Sequence, residues 1–152
     1  MDSTGVRQHD RGAAAVEFAL VSVLLFTLLF GIIQYGFLFF QFQAAAATAH
    51  EGARLAALGI DECPDFGRAV RDRGTANGLP AGAVTEVHVS YSDPNDPSVF
   101  DADRGVTALV RVVWTPTSFG VPFVPYPRGP LTSQAATTVE AVGAVTTACD
   151  FQ

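Results

Sequence analysis

Between Glu17 and Glu51 the chain carries no Asp, Glu, Lys or Arg. Inside that stretch, residues 18–42 (FALVSVLLFTLLFGIIQYGFLFFQF) form an apolar run of 25 residues that holds seven of the twelve phenylalanines. The hydrocarbon core of a bilayer accepts a helix of about 20 apolar residues. A soluble core helix of that length needs a polar face, and this run shows none. It reads as a membrane-spanning helix. With that segment subtracted from 152 residues, the remainder is enough for one small domain.

The rest of the composition narrows the function. Hydrophobic residues at 49% against 16% charged exclude a disordered chain. All nine basic residues are arginine and face fifteen acids, a net charge of −6. Such a chain presents no electrostatic footprint for a phosphate backbone, so no nucleic-acid partner is expected. Two cysteines without a CxxC cannot build a zinc site on their own.

Arg7 and Arg11 lie in the short N-terminal tail, whereas Arg54 lies 12 residues past the far end of the run. This asymmetry places the N-terminus inside and the C-terminal part outside a cytoplasmic (inner or plasma) membrane. Cys63 and Cys149 then both fall on the outer side, where a disulfide can persist. A secretory signal competes with this reading. Ala47-Thr48-Ala49 ahead of His50 has the A-x-A form and would release residues 50–152. A signal peptide, however, has an apolar core of about 7–15 residues, far shorter than this run.

Glu17 stands at the edge of the run, five residues after Gly12. A carboxylate there either lies at headgroup level, where it costs little, or has a task that justifies its cost in lipid.

The string RGAAAVEFALV around Gly12, Ala13, Glu17 and Phe18 resembles the start of the type IV pilin superfamily. With the later elements GIIQYG (Gly31, Tyr35, Gly36) and AHEGARLAA (Glu51, Gly52, Arg54), it is similar to the TadE-like family of tight-adherence (Flp) pilus assembly proteins. Gln34 is a departure, where many relatives carry Glu. The resemblance covers residues 11–58. It implies a cytoplasmic leader over residues 1–12, cut between Gly12 and Ala13 by a prepilin peptidase. Glycine at the scissile bond leaves helical geometry at low cost. The new amine of Ala13 and the Glu17 carboxylate would then form one pair in place of two separate charges in lipid. The resemblance assigns Glu17 and Phe18 to assembly, and Gly31, Tyr35, Gly36, Glu51, Gly52 and Arg54 to helix packing. It implies other minor pilins, platform proteins and the membrane as partners, with no cofactor, no metal and no small-molecule substrate.

Residues 43–58 are alanine-rich, lack proline and end at Gly59, a good residue to follow a helix. One helix over residues 13–58 would be about 69 Å long, with Gln43, His50 and Arg54 on one side. The competing reading ends the helix near Phe42 and makes the alanines a linker.

From residue 59 to 152 the expectation is an outer α+β domain. It comprises a short amphipathic helix over 65–77 behind Pro64 and strands over 84–91, 105–116 and 133–145. Val87, Val89 and Tyr91 share one face of the first strand. Val106, Ala108, Val110, Val112 and Trp114 share one face of the second. A long N-terminal helix laid on a small antiparallel sheet is the pilin-like architecture. So small a sheet needs the helix and a crosslink to close its core. A Cys63–Cys149 disulfide would contribute about 4 kcal/mol in the chain-entropy model; free or intermolecular thiols are the alternative.

The acidic stretch 92–105 lacks the spacing of a calcium loop. His9, His50 and His88 are scattered, and no Ser/His/Asp or Cys/His arrangement stands out. Phe119, Phe123 and Tyr126, in a proline-rich stretch over 115–130, make either a sticky loop for a partner or local packing.

The sequence therefore points to a non-enzymatic, membrane-anchored minor pseudopilin acting in pilus assembly, adhesion or secretion. The alternatives are an uncleaved single-pass anchor that presents a binding domain, and a secreted protein released after Ala49.

Overall fold

The computed structural model describes residues 6–59, 63–92, 105–121, 124–139 and 149–151. For residues 6–11, 63 and 149–151 it describes the course of the backbone alone. Helix α1 runs over Val6–Leu58 and α2 over Cys63–Ala76. Strands β1 (Val84–Ser92), β2 (Thr107–Trp114), β3 (Leu131–Thr138) and β4 (Cys149–Phe151) follow. They form one antiparallel sheet in the order β3-β2-β1-β4. A long N-terminal apolar helix packed on a small antiparallel sheet, an α+β arrangement, is what the sequence led us to expect.

The chain divides into two compact units. The first is Met1–Phe37 with Ser118–Tyr126, and the second is Leu38–Thr117 with Pro127–Gln152.

In the second unit, α1 presents a stripe of small residues to the sheet. Ala45, Ala49, Ala53 and Ala56 are fully buried, and Leu38, Gln41 and Thr48 continue the same spacing of three and four. Small side chains bring the helix axis close to the sheet. A Cβ at Gly52 would stand 3.1 Å from Val110 and 3.3 Å from Val70. The helix is continuous through residues 43–58, so the reading that ended it near Phe42 is overturned. It stops where Gly59 takes φ +102°, a left-handed conformation that side-chain-bearing residues adopt at a cost. Its start at Val6 precedes Ala13; no proline interrupts the intervening residues, and a single glycine, Gly12, is tolerated.

Helix α2 has Pro64 in its first turn and buries Phe66 and Val70. It closes in a Schellman arrangement, in which Leu79 N–H donates to Gly74 O at 3.0 Å and Gly78 N–H to Thr75 O at 3.1 Å.

In β1, Val87, Val89 and Tyr91 are buried and pair with Val112, Val110 and Ala108 of β2. A bulge between Val84 and Glu86 lets Val84 share the buried face despite its odd spacing from Val87. Trp114 is fully buried; its indole donates to Ser133 Oγ at 3.3 Å and its ring meets Phe42 edge-on at 5.2 Å. The Tyr91 hydroxyl is buried with no hydrogen-bond partner among the described residues. Burial pushes its pKa above the ordinary value of 10.0.

Strand β3 begins at Leu131, two residues earlier than expected, and pairs with β2 throughout. Its expected extension to 145 lies largely outside the described residues. Strand β4 was not anticipated; three residues are too few for a periodic signal. The acidic stretch over 93–104 also lies outside the described residues.

Candidate processing and assembly site

The first element sits on an open helix. Gly12, Ala13, Glu17 and Phe18 are exposed within α1, and nothing lies within 4 Å of a Cβ placed on Gly12. From Val16 to Leu29 the large apolar side chains are exposed in turn, Phe18 by 73% and Leu24 by 73%. Among the described residues, one helix segment, Gly12–Leu58, has the length and composition to cross a membrane. Ala13 and Glu17 are four residues apart, one helical turn, so they lie on one face of α1.

The second element is contacted by the chain itself. A Cβ at Gly31 would come 4.0 Å from Val124. The Tyr35 hydroxyl donates to Pro125 O at 2.8 Å. Gly36 is exposed, with nothing within 4 Å of a Cβ placed there.

The third element faces in two directions. Gly52 is pressed between Val110 and Val70. Glu51 pairs with Arg73 at 2.8 Å on a largely exposed surface, where such a pair contributes at most about 1 kcal/mol. Arg54 is exposed, as are Gln43 and His50 on the same side of the helix.

Cys63 opens α2 and Cys149 opens β4; the pairing of their side chains lies outside the described residues. His88 approaches Glu86 at 3.2 Å on the outer face of β1, and the side chain of His9 lies outside the described residues. Among the described residues no group of three His, Cys, Asp or Glu side chains converges on a point that could hold a metal ion.

Sequence reasoning missed the packing role of two glutamines. Gln34 and Gln41 are 1% and 0% exposed. They are seven residues apart, hence on one face of α1, and each binds backbone after β2. The Gln41 amide donates to Thr117 O at 3.1 Å and its oxygen accepts the Thr117 N–H at 2.9 Å. Gln34 Oε1 accepts the Val121 N–H at 3.3 Å. The signal available was their presence inside an otherwise apolar run: a buried amide there needs a polar partner, and a stretch rich in prolines supplies unpaired backbone. The aromatic-proline stretch is thus packed locally, with Phe119 against Phe37 at 4.7 Å between ring centroids, although Phe119 stays 60% exposed. Phe123 lies outside the described residues.

No curated protein and no solved structure matches the chain. One family model does: that of the TadE-like protein family, over residues 12–54. The matched span takes in all three elements, from Gly12 to Arg54. Over residues 12–54, the chain is similar to the TadE-like family.

Proposed function

We propose that the chain is a minor pseudopilin of a tight-adherence pilus, anchored in the membrane by α1 and processed between Gly12 and Ala13. The observation that carries this reading is the TadE-like match over residues 12–54, which begins at the proposed cleavage glycine. The exposed apolar surface of α1 from Val16 to Leu29 supports a single-pass anchor. The arginines of the tail put the N-terminus inside and the sheet domain outside.

The role of Glu17 follows from charge. Cleavage leaves an ammonium on Ala13 at the membrane edge, and Glu17 neutralises it in its own chain or in a neighbour as subunits meet. The chain is then a peptidase substrate and an assembly component, not an enzyme, working with other minor pilins and platform proteins. Cys63 and Cys149 pair in this reading, since α2 and β4, which they open, lie against each other. Reduction should then lower the thermal midpoint by the equivalent of about 4 kcal/mol. An unchanged midpoint after reduction means free thiols.

Burial of Ala49 favours the anchored reading over the secreted one. Ala49 is fully buried within α1, and release after it would strip Leu38, Gln41, Ala45 and Thr48 from the core.

The test is the N-terminus of the mature protein, read by mass spectrometry from cells holding the matching peptidase. A start at Ala13, lost in Gly12→Ala, is expected. Glu17→Ala should keep that start and lose assembly into the pilus machinery. A start at Met1 leaves an uncleaved anchor, and a start at His50 overturns the reading.

A further inference from the structure

Residues 18–42 as a helix measure about 37 Å, several ångströms more than the hydrocarbon thickness of about 30 Å. Part of the run must therefore leave the acyl region or tilt. The first unit carries a segment that bears on this. Residues 118–121 and 124–126 lie along residues 30–37 of α1, held by Gln34 to Val121, Tyr35 to Pro125 and the Phe37–Phe119 ring contact.

Irregular backbone is tolerated at membrane depth only where its polar groups find partners in the protein. Several polar groups of this segment meet that condition. Pro122 and Pro125 have no N–H. Gly120 N–H donates to Ser118 Oγ at 2.9 Å, and Val121 N–H donates to Gln34. The carbonyl of Pro125 accepts the Tyr35 hydroxyl. The segment SFGVPFVPY has no charged residue, and the next charge is Arg128. The surface around it is apolar: Phe119 of the segment is 60% exposed, and Phe30 and Ile33 of α1 are 47% and 50% exposed. With Val121 they line an open groove of about 340 Å³ that is continuous with the exposed apolar side of the span.

We infer that this proline-rich segment is a second membrane contact, seated among lipid acyl chains just beneath the headgroups at the C-terminal end of the span. Phe119 is its inserted side chain. The groove takes lipid, and the buried Gln34 replaces the water that the loop backbone would otherwise need. The hydrocarbon span then runs over residues 13–33, about 31 Å of helix, which matches the bilayer. This inference rests on α1 being a membrane anchor, so its test separates the two.

The experiment places tryptophan in the full chain, reconstituted in phosphatidylcholine vesicles, and measures quenching by brominated lipids. Native Trp114 is fully buried and common to every variant, so it supplies a constant background. Leu24→Trp sits in mid-span on an exposed position and should lose most of its added emission to lipid brominated near the chain ends. Phe119→Trp, an exposed aromatic exchange, should lose most of its added emission to lipid brominated near the headgroup. Quenching at 24 without quenching at 119 overturns the inference and leaves the anchor standing. Quenching at neither position overturns the anchor and the inference together. A photo-crosslinking residue at 119 that joins two copies of the chain and captures no lipid also overturns it, because the groove then belongs to a neighbouring subunit.

Discussion

Single residues show both how far periodicity reaches and where it stops. The alternation in residues 84–91 and 105–116 places Val87, Val89, Tyr91, Val110, Val112 and Trp114 on the inner face, and all six are at most 2% exposed. Val84 is also buried, by a bulge that strict alternation does not contain. The partners of Gln34 and Gln41 could not be read because they lie 87 and 76 positions away in the chain. Tyr91 gives a titration with a definite sign. Its raised folded-state pKa keeps the phenol neutral while the unfolded chain ionises near 10.0. The stability tied to this group is therefore whole below pH 10 and falls as pH rises through the folded value. Tyr91→Phe removes a hydroxyl that lacks a partner among the described residues, so it should equal or exceed the parent's stability at pH 7 by up to about 1 kcal/mol. It should also flatten the decline above pH 10. Chemical denaturation at pH 7 and at stepped alkaline pH measures both; an equally steep decline in the variant assigns the alkaline loss to another group.

At the scale of elements, α1 was legible because its end signals are local. An alanine-rich, proline-free stretch closed by Gly59 fixes the C-terminus, and Pro64 marks the first turn of α2. Strand β4 was not legible, since three residues gain their structure from pairing with Val87, His88 and Val89 and not from any pattern of their own. The helix is also part of the sheet domain: Gln41 ties it to the strand exit through both backbone groups of Thr117. Gln41→Met keeps the volume and the helix propensity but forfeits those two bonds. It should cost about 2 kcal/mol, seen as a lower denaturation midpoint with helix content by circular dichroism unchanged. An unaltered midpoint would show that backbone packing alone holds the loop.

For the molecule as a whole, the decisive fact is that residues 38–58 of α1 belong to the core of the sheet domain. The TadE-like match ends at residue 54, yet the matched helix and the unmatched sheet share one core through Gly52, Val110 and Val70. The matched segment is thus half exposed apolar surface and half alanine stripe, and the stripe needs a sheet to cover it. This yields a prediction about where the chain can be cut. A fragment of residues 38–152 keeps the whole stripe and should unfold in one cooperative transition. A fragment of residues 50–152 loses Leu38, Gln41, Ala44, Ala45, Thr48 and Ala49, all buried. That removes several kcal/mol of apolar burial from a domain whose total stability is about 5–15 kcal/mol. It also exposes the inner face of β1 and β2 to water. The shorter fragment should show no cooperative transition and should bind a hydrophobic dye, while the longer one binds none. If the shorter fragment instead melts cooperatively, the sheet closes without the helix and a product released after Ala49 becomes physically viable.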